Sequence, residues 1–78
     1  MNARSVAIKT KKSIKGIIRA ERTIIKEYIK TVATNGRTEV EHAVNYEINL
    51  NWLKRKGFEV TKIPDTKHTY RISWEHKL

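Results

Sequence analysis

The chain has 78 residues, with 17 basic against eight acidic side chains, a net charge of +9, one proline and no cysteine. That length allows one domain with a marginal core, and the composition excludes a disulfide framework and a cysteine-based zinc site. No apolar run approaches the roughly 18 residues of a membrane span, and the start MNARSVAIKTKK lacks the hydrophobic centre of a secretory signal.

These features predict a cytoplasmic protein whose partners are anions: nucleic acid, an acidic protein or an anionic membrane surface. Self-association into a homodimer is the remaining way to support so small a core. The charge is localised. Residues 1–30 carry nine basic and two acidic groups, +7, and residues 31–78 carry eight and six, +2.

The first few residues, Met1 to Arg4, have no pattern, and a frayed lead-in over 1–9 is expected. Helical periodicity is clear from about Thr10 to Thr34. Lys11, Lys15, Arg19, Arg22, Lys26 and Lys30 recur every three or four residues and make one cationic stripe, with Lys12 beside it. Those six cations extend over roughly 30 Å of helix, comparable to one turn of duplex. A neighbouring apolar stripe holds Ile14, Ile17, Ile18, Ile24, Ile25, Tyr28, Ile29 and Val32. Gly16 is a candidate kink, and Asn35-Gly36 is a C-terminal stop.

Glu21 breaks the apolar stripe near its centre. A buried carboxylate needs a partner, so three roles are open to it. It can pair with a Lys or Arg or with a buried Tyr or Trp, or act as a polar specifier in a dimer seam. The third role, a catalytic carboxylate, lacks an accompanying acid, nucleophile or metal cluster.

From Thr38 the period changes to two, with Val40, His42, Val44, Tyr46, Ile48, Leu50 and Trp52 on one side. A single strand of that length is far beyond the usual five or six residues. The run therefore divides into a strand from about Thr38 to Val44 and a helix from about Tyr46 to Lys56. Asn45 is the candidate cap, Glu47 the first-turn acid and Gly57 the stop. The segments 58–63 and 69–74 alternate around the turn Pro64-Asp65-Thr66-Lys67 and predict a hairpin. Only an odd-length loop, or a bulge, sets Phe58 and Val60 opposite apolar residues. The predicted class is α+β: a long N-terminal amphipathic helix, then strand, helix and hairpin, with a three-stranded antiparallel sheet packed on helices.

The stretch NWLKRKGFEV (residues 51–60), followed by Tyr70-Arg71-Ile72-Ser73-Trp74, resembles the C-terminal half of many small bacteriophage-encoded proteins. In these a helix ending in Gly leads to an aromatic-x-Val strand and a closing Tyr-x-Ile-Ser-Trp strand. The resemblance implies a phage or prophage origin and a host bacterial cytoplasm, but no activity and no site. Phage proteins of this size often bind DNA or redirect host machinery.

The expected function is nucleic-acid binding, to DNA or RNA, mainly through phosphate contacts from the helix. The candidate residues are Lys11, Lys12, Lys15, Arg19, Arg22, Lys26 and Lys30, with a second group at Lys54, Arg55, Lys56, Lys67 and Arg71. A short helix before a basic hairpin also resembles a winged helix, although that fold needs two consecutive helices ahead of the hairpin and the sequence offers one. The alternative is a host-takeover protein docking on an acidic host protein. Trp52, Trp74, Phe58, Tyr46 and Tyr70 are assigned to the core, with Trp74 the candidate exception. There is no Gly-rich phosphate loop or Ser-centred elbow, and His42, His68 and His76 show no ligand spacing. The pattern therefore predicts no enzyme, cofactor or metal.

Overall fold

A computed structural model describes residues 2–78. Helix α1 (Ala3–Thr34) is followed by strand β1 (Glu39–Ala43), helix α2 (Glu47–Arg55), strands β2 (Glu59–Lys62) and β3 (Thr69–Ser73), and a closing 3-10 turn (Glu75–Lys77). The fold is α+β, with one antiparallel sheet in the order β1-β3-β2.

Helix α1 begins well before the point at which its apolar period becomes visible. Among the described residues of the expected frayed lead-in the chain is helical from Ala3, capped by Asn2, whose side chain accepts from the Ser5 N–H at 2.9 Å, while Met1 lies outside the described residues. The helix runs through Gly16 as one continuous element. It stops where Gly36 takes φ +81, with Gly36 N–H donating to Ala33 O and Arg37 N–H to Val32 O. Helix α2 closes in the same way. Gly57 at φ +94 donates to Lys54 O, and Phe58 donates to Leu53 O. Both pairs of bonds satisfy carbonyls that the helix end would otherwise leave open.

The start of α2 departs from expectation. Its N-cap is Tyr46, which makes no side-chain capping bond. Asn45 gives both its backbone N–H and its side-chain amide to Glu21 instead, at 2.9 and 3.1 Å. A charged acceptor outcompetes a local capping bond for those donors.

The sheet presents one face to the helices. Ile72 on the central strand lies between Val40 and Val60, and Ile25, Val32, Val44 and Leu53 close over that row. Strand alternation puts Glu39, Glu41, Glu59 and Arg71 on the opposite face. The hairpin register has the predicted odd parity, with Lys62 opposite Tyr70 and Ile63 N–H bonded to Thr69 O. Phe58 and Trp74 meet edge to face, with ring centroids 6.1 Å apart. Only α2 lies between β1 and β2, so no helix-turn-helix precedes the hairpin among the described residues.

The molecule measures 53 × 27 × 19 Å, and its long axis matches the roughly 48 Å of a 32-residue helix. The first half of α1 stands clear of the body. Every described residue from Asn2 to Ile17 is exposed, Ile18 is half-buried, and the first α1 residue in the core is Ile25. No helix among the described residues is long and apolar enough to cross a membrane.

Candidate anion-binding surface

The two helices are joined by a polar network around Asn49, whose side chain is fully buried. Its amide nitrogen donates to Ile18 O at 3.0 Å and to Glu21 Oε1 at 2.9 Å, while its oxygen accepts from Arg22 Nε at 3.1 Å. Both amide protons and the carbonyl are thereby used. Glu21 therefore has partners, but they are the amides of Asn45 and Asn49. It pairs neither with a Lys or Arg nor with a Tyr or Trp, because Asn45 in the β1–α2 connection and Asn49 on α2 bring donors to the middle of the apolar stripe. Both of its oxygens accept hydrogen bonds from within the chain.

This network fixes Arg22. The guanidinium carbon lies 5.0 Å from the centre of the Trp52 ring, a cation–π distance, and only one of its five N–H donors is taken by Asn49. Held between Asn49 and Trp52, Arg22 joins Lys15 and Arg19 around a cleft of about 190 Å³ between the helices. The apolar lining comes from Ile18 and Ile48, and Ile48 is half exposed. Three cationic residues thus border one cleft with an apolar lining, an arrangement that suits an amphipathic anion.

The cationic surface extends in both directions. Lys11 and Lys12 continue it along the projecting half of α1, and Lys26 and Lys30 along the other. Among the described residues Lys11, Lys12, Lys15, Arg19 and Lys26 form no ion pair. Lys30 lies 3.9 Å from Glu27, with both side chains about two-thirds exposed, so the pair is weak and screened. Lys56 borders a second cleft of about 290 Å³ with Ile29, Ala33, Phe58 and Trp74. Lys77, absent from the sequence expectation, stands on the same rim; nothing in the pattern around the C-terminus singles it out.

The rest of the second basic group does not assemble. Lys54 and Arg55 are exposed in the last turn of α2, where a cation complements the helix dipole, and neither lines a cleft with α1. Lys67 sits in the β2–β3 turn, away from both clefts. Arg71 is a clear departure from expectation. Its side chain lies on the outer sheet face between Glu39 at 3.7 Å and Glu41 at 3.3 Å, so its charge is compensated and points away from α1. Trp74 is half-buried against Phe58 and packs on the core. No cluster of three or more metal-ligating side chains occurs among the described residues.

No protein family matches this chain, and neither a curated protein nor a solved structure shows significant similarity to it.

Proposed function

We propose that this protein binds nucleic acid through phosphate contacts along the cationic face of α1, centred on the cleft of Lys15, Arg19 and Arg22. The observation that carries this is that three cationic residues border one cleft with an apolar lining, within a helix whose neighbouring cations have almost no acidic partners. Phosphates neutralise such a row with release of counterions, and Ile18 and Ile48 offer the base or sugar an apolar surface. The resemblance of the C-terminal third to phage proteins supports a bacteriophage setting, and hence action in the host cytoplasm.

Fluorescence anisotropy with duplex DNA, single-stranded DNA and RNA tests this. With about four phosphates neutralised, affinity should fall by roughly two orders of magnitude between 50 and 200 mM salt. The pair Lys15→Glu and Arg19→Glu should lower it at least about tenfold at 50 mM salt, whereas Lys67→Glu in the distant turn should leave it nearly unchanged. Absence of binding at low salt, or equal losses from the two changes, would remove the proposal. Recovery of an acidic host protein from nuclease-treated lysate, with no nucleic-acid binding, would favour the takeover alternative.

A further inference from the structure

The apolar stripe expected on α1 divides in the structure: Ile25 and Val32 are buried, whereas Ile17 and Ile24 are exposed and belong to a second seam, away from the cations. Val6, Thr10, Ser13, Ile17, Ala20 and Ile24 follow one another at intervals of four, three, four, three and four, the a/d spacing of a helix–helix seam. All six are uncharged in a helix where 11 of 32 residues carry charge. All six are also exposed, Ile17 at 51% and Ile24 at 58%. At about 100° per residue, this line lies roughly a quarter turn from the core-facing Ile18, Ile25, Ile29 and Val32. It lies nearly opposite the cationic sector. Neither the core nor the anion-binding surface therefore uses it.

We propose that α1 pairs antiparallel with α1 of a second copy of this chain, about a two-fold axis near Ile17. Three observations favour that occupant. The first is shape. Pairing about Ile17 sets Thr10 against Ile24 of the second copy and Val6 against its Tyr28, a smaller residue facing a larger one. Ile14 of the second copy falls opposite Ala20, at the mouth of an apolar cleft of about 280 Å³ between α1 and β1.

The second observation is charge. Residues 3–17 hold Arg4, Lys9, Lys11, Lys12 and Lys15 and no acid. The other half of the seam is flanked by Glu27 on α1; across Tyr28, Glu39 and Glu41 share a cleft with that ring and with Arg37, and both pair with Arg71. Antiparallel pairing brings the basic half to the acidic flank. Parallel pairing would place two strongly basic halves side by side, which like-charge repulsion opposes. The third observation is the projection of residues 3–17 from the body. A helical segment of that length is marginal in water by itself, and the seam continues onto it without a break. An isologous contact is closed and self-complementary, so it ends at a dimer.

The inference is independent of nucleic-acid binding and is tested without it. Sedimentation equilibrium of the full chain from about 1 to about 100 µM should show a concentration-dependent monomer–dimer equilibrium. Ile17→Glu, which would set two carboxylates face to face at the axis, should give a monomer with an unchanged helical circular-dichroism spectrum. Orientation is read by cysteine pairing, since the chain has no cysteine of its own. Thr10→Cys and Ile24→Cys proteins should form disulfide dimers when mixed and oxidised, and not when oxidised singly. A monomer across the whole concentration range would overturn the proposal. So would an undiminished dimer in the Ile17→Glu protein, or cross-linking of the Thr10→Cys protein chiefly with itself.

Discussion

Glu21 and Asn49 define a small polar joint inside an otherwise apolar contact, and its stability consequences differ from those of the surface charges around it. Removing the Glu21 carboxylate leaves the Asn45 N–H and the amides of Asn45 and Asn49 without their acceptor. Unpaired polar groups that keep part of their burial cost about 1–3 kcal/mol, so Glu21→Ala should destabilise the fold by about 1–2 kcal/mol. Asn49→Ala should cost more, about 2–3 kcal/mol, because it opens a void at a fully buried position and takes their partner from Glu21 Oε1 and Arg22 Nε. Since the two side chains share a bond, the double variant should cost less than the sum of the single ones. Glu27→Ala, which touches only an exposed lysine, should change stability by less than about 0.5 kcal/mol. Urea unfolding midpoints decide between these expectations, and a Glu21→Ala protein as stable as the Glu27→Ala protein would show that the joint carries no weight.

Two glycines in helical contexts make opposite demands on their elements. Gly16 lies inside α1, and a methyl group on its Cα would meet nothing within 4 Å. Gly16→Ala therefore removes a helix penalty of about 1 kcal/mol and should raise the helical signal. Gly57 ends α2 at φ +94, and an added Cβ would meet Lys77 Cε at 3.2 Å; Gly57→Ala should therefore lower the thermal midpoint, by about 1–2 kcal/mol of stability. Shifts of the same sign in circular-dichroism melts would contradict one of these assignments. These helix ends were readable in the sequence because a glycine at the stop position is a local requirement. The hairpin parity was readable too, because only one parity lets Val60 face Ile72. The start of α1 was not, since residues 3–9 bury nothing and so carry no apolar period to detect. Asn49 was hidden by the two-residue alternation of its neighbours. Read at helical spacing, Asn45, Asn49 and Leu53 share a face, which aligns two polar side chains with a core residue and with the misplaced Glu21. Arg71 was unreadable for a different reason: its acidic neighbours come from β1, about 30 residues away in sequence, through a non-local strand pairing.

Charge and packing are separated along the long axis of the molecule, and removing one end tests that separation. Residues 2–14 contain Arg4, Lys9, Lys11 and Lys12 and no acid, yet each of these cations is exposed and none contributes to the buried core. A chain beginning at Lys15 keeps the joint between Glu21 and Asn49, the cleft of Lys15, Arg19 and Arg22, and the whole sheet. At concentrations where the full chain is monomeric, it should therefore unfold cooperatively with a thermal midpoint within a few degrees of the full chain. It should bind nucleic acid more weakly and with a shallower salt dependence, because each phosphate no longer neutralised takes about 0.9 from the logarithmic slope on duplex DNA. If the four missing cations held one or two of the roughly four phosphates, the slope should fall by about 1–2. The same truncation deletes Val6, Thr10 and Ser13, half of the uncharged seam, so the shortened chain should also sediment as a monomer. These readouts separate the two uses of α1. An unchanged salt slope would confine phosphate binding to the interhelical cleft, and an unfolded truncated chain would mean that the projecting half supports the body through contacts other than the core seen around Ile25 and Ile72.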